Sequence, residues 1–212
     1  GTGVDALTGG AGKDDFVFAL ASSQSTIAKT DTVSDFETGD DEIRISLTAP
    51  SAATTYDFTN KGEAADNAEA LSLLSSVAGQ FYYNTANKAV VLDTDGNGLT
   101  QSGDFEVVLG LDELGAADVA FDITTSGTAD TVTTGGGNDT VVAAVAADVI
   151  STGAGDDKIS VSGVTYTGTL AFGTGTDTLA VTAASADVKG ATVSGLSAIT
   201  VVDSGSLTIS TA

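Results

Sequence analysis

One aspartate returns every nine residues in the second half of the chain. Asp130, Asp139, Asp148 and Asp157 are spaced nine apart, and an aliphatic residue, Val or Ile, follows two places after each. A unit this short cannot form a pair of helices, but it fits a turn of about six residues followed by a strand of about three. The spacing therefore predicts short parallel strands that wind into a right-handed β-roll, with two nonapeptides per coil.

Two nonapeptides per coil place every second frame on the same side of the roll. The frames TGGGNDTVV and TGAGDDKIS share one side, and FGTGTDTLA continues that column after a two-residue slip. The frames TSGTADTVT, AAVAADVIS and VSGVTYTGT form the other column, where most glycines are lost and Tyr166 replaces the aspartate. We therefore predict a one-sided roll, with ions concentrated along Asp139, Asp157 and Asp177.

The charge balance decides which kind of ion these loops suit. The chain has 29 acidic against 7 basic residues, a formal net charge of −22, and neither Cys nor His. Such a surface repels nucleic acid and anionic lipid, so we expect neither partner. Zinc, copper and iron sites lack their thiolate and imidazole ligands, whereas the oxygen ligands that calcium prefers are abundant. The apolar residues are scattered rather than gathered in a run of about 20, so we expect no membrane insertion.

The GxGxD loops supply oxygen ligands from two directions. Calcium takes about six to eight oxygens and accepts carbonyls mixed with carboxylates. Glycines allow the tight turn that aims several carbonyls at one point, and the aspartate adds a carboxylate. One loop cannot complete the shell, so we expect ions between consecutive loops of one column. The candidate ligand residues of this column are Gly135, Gly137, Asp139, Gly153, Gly155, Asp157, Gly173, Gly175 and Asp177.

These glycine loops have other interpretations. A phosphate loop would need the Walker sequence or a helix directly after the glycines, and neither pattern is present. The aspartates would also repel an anion. Solvated turns without an ion remain open, above all for the glycine-poor column. A threonine ladder of the ice-binding type is disfavoured, because Thr174, Thr176 and Thr178 are not repeated in register on a glycine-free face.

The first half contains the same repeat signature once, and a different sequence pattern follows it. GGAGKDDFV, at residues 9–17, is a full match to the repeat and makes Gly10, Gly12 and Asp14 candidate ligands, with Asp5 in the preceding GTGVDALT. We predict strands at TVSDF and DEIRISL, a helix over residues 63–77, and antiparallel strands at QFYYN, KAVVLD and DFEVVLG. DFETGDDEI, between the first strands, is typical of a solvated turn. From about residue 183 we expect further stacked strands without ion loops.

A second kind of candidate loop is DTDGNGLTQSGD, residues 93–104. Asp93, Asp95 and Asn97 have the spacing of an EF-hand loop, Gly98 stands at its sixth place, and Asp104 stands where a bidentate Glu is expected. Strands rather than helices flank the loop, and Asp reaches less far than Glu. A hairpin loop closed by Asx-type hydrogen bonds is therefore the alternative.

Taken together, GGAGKDDFV and TGAGDDKIS resemble the RTX nonapeptide GGxGxDxUx of secreted bacterial proteins. The run from GGAGKDDFV to DEIRIS, followed by FYYN, DTDGNG and GDFEVVL, is similar to the C-terminal domain of serralysin-type metalloproteases, over residues 1–123. The chain departs from that family where it enters a second roll, and it has no HExxH zinc motif. The second roll and its Thr-, Ala- and Val-rich strands resemble bacterial surface-layer proteins and RTX adhesins.

The resemblance implies export by a type I secretion system and folding on several calcium ions outside the cell. We expect a mainly all-β chain, a right-handed parallel β-roll or β-solenoid with an inserted antiparallel β segment and one short helix. Residues 1–123 and 124–212 are the expected domains. The opening GTGVDALTGG reads as the middle of a repeat, so targeting signals are expected elsewhere.

No catalytic group stands out in the sequence, because no spacing separates a catalytic carboxylate pair from a calcium pair. We therefore expect no enzyme but a secreted structural module of a cell-surface layer that self-associates. The alternative is the non-catalytic C-terminal calcium roll of a secreted hydrolase.

Overall fold

The computed structural model of the chain describes residues 3–20, 26, 29–48, 55–98, 104–163, 165–182, 185–201 and 206–208. Short strands account for nearly all of its regular structure. Those of the first half are β1 (Ala6–Leu7), β2 (Asp15–Ala19), β3 (Asp31–Val33), β4 (Glu42–Thr48), β5 (Thr55–Phe58), β6 (Asn60–Ala64), β7 (Phe81–Asn84), β8 (Ala89–Leu92), β9 (Phe105–Val108) and β10 (Val119–Thr124), with one helical turn, α1 (Asn67–Ala70).

The second half has only short strands among its described residues. They are β11 (Thr131–Thr134), β12 (Thr140–Ala143), β13 (Val149–Ser151), β14 (Lys158–Val161), β15 (Thr169–Ala171), β16 (Thr178–Val181), β17 (Ser185–Asp187), β18 (Thr192–Ser194), β19 (Ala198–Val201) and β20 (Ser206–Thr208). The chain divides into two compact units, Gly1–Ser46 with Tyr56–Val119, and Leu47–Thr55 with Ala120–Ala212. Within the described ranges, no helix is long and apolar enough to span a bilayer.

The first unit contains a mixed sheet in the order β1-β3-β9-β8-β7-β6. β7, β8 and β9 are antiparallel neighbours, which confirms the pairing predicted for QFYYN, KAVVLD and DFEVVLG. The turn between β7 and β8 is closed by Asn84, whose Oδ1 accepts the amides of Ala86 and Asn87. Tyr82 and Val91 are fully buried in the core beneath this sheet.

The first unit also holds the parallel pair of β2 and β4. Phe16 pairs with Ile43 and Phe18 with Ile45, and all four side chains are buried. Their burial makes this pair part of the core of the unit. The pairing of Asp15 with Glu42 also shows that this first coil is longer than a pair of nonapeptides.

The helix predicted over residues 63–77 is wrong in its extent, because the structure has only one helical turn there. Residues 60–64 form β6, which pairs in parallel with β7, and α1 covers only Asn67–Ala70. Asp66 caps this turn by accepting the amide of Glu69, whose carboxylate accepts the amide of Ala65. Ala70 and Leu74 pack on the core, but Leu71 and Leu73 are 48% and 38% exposed, so the segment buries too little of its apolar pattern to sustain a longer helix.

The second unit confirms the register predicted from the nonapeptides. Thr140 pairs with Lys158, two nonapeptides further on, and Lys158 pairs with Thr178 after the two-residue slip. The opposite sheet repeats this step, because Thr131 pairs with Val149 and Val149 pairs with Thr169. All of these pairs are parallel.

Each strand from β11 to β16 buries an aliphatic residue in register with that of its sheet neighbour. The inward side chains form two rows, each at most 1% exposed: Val141, Ile159 and Leu179 on one sheet, and Val132, Ile150 and Leu170 on the other. Burial of such a side chain contributes about 1.5–3 kcal/mol, which makes these positions the framework of the unit.

The strands expected after residue 183 are present where the structure describes them. β18 stacks on β15 and β19 stacks on β16, both in parallel. β17 and β20 form a third parallel pair in this segment. The predicted segment also includes residues 183–184, 202–205 and 209–210, which lie outside the described residues.

Candidate metal centres

The GxGxD loops of the second unit each end on a buried aspartate. Asp139, Asp157 and Asp177 directly precede β12, β14 and β16, and their exposure is 0%, 1% and 0%. The amide of Asp139 donates to Oδ1 of Asp157 at 2.9 Å, and the amide of Asp157 donates to Oδ1 of Asp177 at 3.0 Å. The structure therefore brings the three predicted carboxylates into one column, which we call the aspartate column.

Among the described residues, two of these carboxylates have a second oxygen that accepts no hydrogen bond. Oδ2 of Asp157 and Oδ2 of Asp177 are buried, and within the described residues neither accepts a hydrogen bond. Burial raises the pKa of the Asp157 carboxyl, and the nearby charges of Asp177 and Asp156 raise it further. The Thr152 hydroxyl lies close enough to oppose this rise in pKa, but it makes no hydrogen bond of normal geometry. A buried carboxylate oxygen without a donor costs free energy unless a proton or a cation reaches it, and hard oxygens without nitrogen or sulfur fit calcium.

The glycines of this column are required by the close approach of consecutive loops. A Cβ on Gly153 would collide with the carbonyl oxygen of Gly135, and a Cβ on Gly155 would collide with that of Gly137. Gly155 also has a φ of +140°, which side chains rarely adopt. Gly173 and Gly175 approach the carbonyls of the preceding loop in the same way.

Sequence reasoning missed a second row beside the aspartate column. The amide of Asp156 donates to Oδ1 of Asn138 at 2.8 Å, and the amide of Thr176 donates to Oδ1 of Asp156 at 2.7 Å. These residues occupy the fifth place of each nonapeptide. The signal was present, because a short polar side chain stands at that place in all three GxGxD frames.

The glycine-poor column of the second unit contains one aspartate, Asp148, whose two oxygens both have protein donors. Asp148 is fully buried, and its Oδ1 accepts the amide of Asp130 at 3.0 Å. Its Oδ2 accepts the hydroxyl of Thr125 at 2.7 Å and the amide of Val145 at 3.3 Å. Protein donors thus reach both oxygens of Asp148, in contrast to Asp157 and Asp177, but Oδ1 of Asp130 in the same column is buried and accepts no hydrogen bond among the described residues.

Tyr166 takes the aspartate's place in the next frame of the glycine-poor column. Its side chain is fully buried, and burial raises the pKa of its hydroxyl, as does the nearby Asp148 charge. Val164, in the same frame, lies outside the described residues. A neutral phenol therefore stands where the GxGxD loops place a carboxylate.

The N-terminal GGAGKD loop stacks on the loop of residues 35–41. The amides of Gly9 and Gly10 donate to the two carboxylate oxygens of Asp35 at 3.0 and 2.9 Å. The amide of Asp14 donates to Oδ1 of Asp41 at 3.1 Å, the same contact that links the residues of the aspartate column. DFETGDDEI, taken from the sequence as a solvated turn, is therefore the partner loop of a GxGxD frame.

The predicted N-terminal ligands differ in their surroundings. Oδ2 of Asp14 is buried and accepts no hydrogen bond among the described residues. Gly10 and Gly12 have φ values of +106° and +120°, and a Cβ on either would meet nothing within 4 Å. Asp5 lies before β1, where its amide donates to Oδ1 of Asp31 at 2.8 Å, and it belongs to a different stack from Asp14.

The loop that begins at residue 93 gathers three carboxylates. Carboxylate oxygens of Asp93, Asp95 and Asp104 lie within 4.8 Å of one another, with Asp93 and Asp104 buried and Asp95 exposed. Burial raises the pKa of the Asp104 carboxyl, and the charges of Asp93 and Asp95 raise it further. Residues 99–103 of the predicted EF-hand-like loop lie outside the described residues.

Asx-type hydrogen bonds also shape this loop. Asp93 accepts the amides of Gly96 at 2.8 Å and Gly98 at 3.1 Å through its two oxygens. The side-chain amide of Asn97 donates to Asp95 at 2.6 Å. The hairpin alternative and the convergent carboxylates are thus both present in one loop.

Short parallel strands joined by aspartate-rich loops define a class of β proteins whose loops suit hard cations. The particular family follows from a family model, Peptidase M10 serralysin C terminal, which matches residues 1–121. The chain belongs to this family, the non-catalytic, calcium-binding β-roll domain of secreted proteins. No curated protein and no solved structure matches the chain significantly.

Proposed function

We propose that the protein is a calcium-dependent structural module of a secreted bacterial cell-surface protein, of the surface-layer type. In this proposal the second unit is a right-handed β-roll that folds on calcium outside the cell, after export by a type I system. Residues 1–123 act as the roll end and its inserted β segment, and residues 124–212 as the second roll.

One observation carries the proposal. Oδ2 of Asp157 and Oδ2 of Asp177 are buried and accept no hydrogen bond in the described chain, while Oδ1 of each is held by the amide of the preceding loop's aspartate. This arrangement fixes the carboxylates and leaves oxygen lone pairs inside the column. Calcium bound there would neutralise charges that otherwise repel across consecutive loops.

The proposed ligands follow from this column. One ion is assigned to the loops that end at Asp139 and Asp157, and another to the loops that end at Asp157 and Asp177. The glycines at 135, 137, 153, 155, 173 and 175 are proposed to contribute carbonyl oxygens. Gly10, Gly12, Asp14 and Asp5 are the weaker candidates of the first unit.

The loop at residues 93–104 is proposed as a separate calcium site. Its support is the convergence of Asp93, Asp95 and Asp104 within 4.8 Å. Asn97 would complete the set through its amide oxygen. Asp104 is buried with a raised carboxyl pKa, so a cation at this loop would relieve a cost that the fold otherwise bears.

Calcium would act as the switch between the exported and the folded chain. An ion that binds only the folded state adds about 2.7 kcal/mol of stability per site at a hundredfold excess over its Kd. Domains are stable by about 5–15 kcal/mol in total, so two or three such sites decide whether a unit folds. A chain with a net charge of −22 also repels itself more strongly without bound cations.

A calcium titration followed by circular dichroism tests this function. The full chain in excess chelator should show a weak β signal that rises with calcium. Asp157→Asn should shift the calcium midpoint upward, whereas Asp112→Asn, which removes the same charge from a side chain that is 96% exposed, should not. A complete β signal in chelator would refute the calcium-dependent folding.

The alternative function is the C-terminal calcium roll of a secreted hydrolase. Its support is the family match over residues 1–121, because that family is the C-terminal domain of serralysin-type peptidases. Light scattering separates the two, since a surface-layer module should assemble into sheets or polymers when calcium is added. A hydrolase tail should fold on calcium and stay monomeric.

A further inference from the structure

Thr152 brings a buried hydroxyl group into the aspartate column. The residue is fully buried, and its Oγ1 makes no hydrogen bond among the described residues. Oδ2 of Asp157, in the same loop, is also buried without a donor, and the hydroxyl lies close enough to this carboxylate to lower its pKa. Two buried oxygens that lie close together without bonding to each other both carry the cost of an unsatisfied polar group.

The glycine-poor column shows how the protein alone satisfies a hydroxyl and a carboxylate of this kind. Thr125 occupies the first place of its nonapeptide, as Thr152 does in its own. The Thr125 hydroxyl donates to Oδ2 of Asp148 at 2.7 Å and accepts the amide of Ala144 at 2.7 Å. A threonine at the first place is therefore able to close an aspartate oxygen directly, and at Thr152 this closure is missing.

The other two frames of the aspartate column differ from that of Thr152 at their first place. The Thr134 hydroxyl donates to the carbonyl oxygen of Thr152 at 3.0 Å, so it already has a partner. Phe172 occupies the first place of the third frame and offers no side-chain oxygen. The two carboxylates with an open Oδ2 are thus unequal, because Asp157 has a hydroxyl beside it and the loop that ends at Asp177 has none at that place.

The backbone on both sides holds Thr152 in position. Its amide donates to the carbonyl oxygen of Ala171 at 3.0 Å, and its own carbonyl oxygen accepts the Thr134 hydroxyl. The side chain is also stiff, because a β-branched residue has few allowed χ1 rotamers. A hydroxyl has two lone pairs besides its proton, and calcium accepts neutral oxygens together with carboxylates. A cation beside Oδ2 of Asp157 would therefore meet a second oxygen that is already fixed in place.

We propose that Thr152 is a further ligand of the calcium ion bound at Asp157, through the lone pairs of its Oγ1. This residue lies outside the glycine and aspartate places of the repeat. The site at Asp157 then has one neutral oxygen more than the site at Asp177, so the two sites are unequal and the Asp157 site fills at the lower calcium concentration. The inference rests on the proposed function, because it requires a cation in the aspartate column.

Isothermal titration calorimetry of the full chain with calcium tests the ligand, with circular dichroism of the same samples as the folding control. Thr152→Val keeps the shape of the side chain and removes the hydroxyl, so it should lower the overall calcium-binding constant about tenfold. Tyr166→Phe is the matched control, since it removes another buried hydroxyl without a hydrogen bond, in the glycine-poor column, and should not weaken binding. Thr152→Ser should keep the wild-type constant and Thr152→Ala should lose it, which isolates the hydroxyl even if the valine variant does not fold.

Europium bound in place of calcium gives a readout that a merely structural role would not move. The decay of its luminescence in H₂O and in D₂O counts the water molecules on the bound ions. Thr152→Val should add about one water, because water takes the coordination position that the hydroxyl leaves. Thr152→Ser should add none.

The possible results separate this ligand from the proposed function. Calcium-dependent folding with the same binding constant and hydration in Thr152→Val as in the wild type would overturn the ligand while the proposed function stands. Tighter binding in Thr152→Val would also overturn it, since the hydroxyl would then be only an unsatisfied group. Weaker binding without an added water would overturn direct ligation. Full folding in chelator would instead refute the proposed function.

Discussion

Replacing Gly155 by alanine measures how much the close stacking of the GxGxD loops matters. The substitution has two effects, because Gly155 has a φ of +140° and because an added Cβ would collide with the carbonyl oxygen of Gly137. Gly62→Ala is the matched control. Gly62 has a φ of +108°, but a Cβ there would meet nothing within 4 Å, so it carries the backbone strain alone.

The size of the difference follows from the contacts beside Gly155. Backbone strain of this kind costs about 1–3 kcal/mol and is common to both variants. At Gly155 the loops must also separate, which weakens the bonds from Asp156 to Asn138 at 2.8 Å and from Asp139 to Asp157 at 2.9 Å. Two hydrogen bonds at about 1 kcal/mol each give an additional loss of about 2 kcal/mol.

Urea unfolding in saturating calcium measures this difference as a free energy of unfolding. In a calcium titration, the same loss of stability raises the calcium concentration at the folding midpoint. About 2 kcal/mol corresponds to about a thirtyfold shift in an equilibrium constant. If Gly155→Ala costs no more than Gly62→Ala, the loops do not need their close approach, and the account of the glycines is wrong.

Three further changes test other parts of the structure. Burial raises the pKa of the Glu106 carboxyl, so the folded protein favours its protonated form. The wild type therefore loses stability as pH rises from about 4.5, the ordinary pKa, through the folded-state pKa. Over that range the free energy of unfolding of Glu106→Gln should rise relative to the wild type, as measured by urea unfolding at several pH values. Tyr166→Phe should keep the free energy of unfolding within about 0.5 kcal/mol of the wild type or raise it. The reason is that the buried hydroxyl, although close to Asp148, makes no hydrogen bond of normal geometry among the described residues. A loss above about 1 kcal/mol would contradict this. Asp66→Ala should cost about 1 kcal/mol through loss of the cap on α1, and Asp66→Asn, which keeps an acceptor, should cost less.

The second unit was predictable because its repeat has a fixed period. The aliphatic residue of a nonapeptide marks the side chain that points inward. Val132 and Ile159, for example, stand between polar neighbours, so they indicate which face of the strand is buried. Even the two-residue slip was visible, since it preserves the GxGxD order at residues 172–180. The strand register follows from these local facts alone.

The first unit was less predictable because its contacts are longer in range. The sequence near Gly9 does not predict that its amide donates a hydrogen bond to Asp35, which lies 26 residues further along the chain. DFETGDD lacks the glycine spacing of a repeat, and the coil that it closes is longer than a pair of nonapeptides. The helix prediction failed for a related reason, since tertiary packing buries only part of the helical pattern: Ala70 and Leu74 reach the core, whereas Leu71 and Leu73 stay exposed.

The candidate metal centres show what a repeat pattern alone leaves undetermined. Asp148 and Asp157 occupy the same place in their nonapeptides, and both are buried. Thr125 and Val145 supply donors to Oδ2 of Asp148, but no donor reaches Oδ2 of Asp157 with hydrogen-bond geometry in the described chain. A carboxylate that protein donors satisfy can stay ionised without a cation, whereas one left with an open oxygen gains most from binding one. The environment of the second oxygen, rather than the aspartate itself, therefore separates the Asp148 loop from the loops that end at Asp157 and Asp177. It does not separate the two columns as a whole, because Oδ1 of Asp130 in the glycine-poor column is also buried without a hydrogen-bond partner among the described residues.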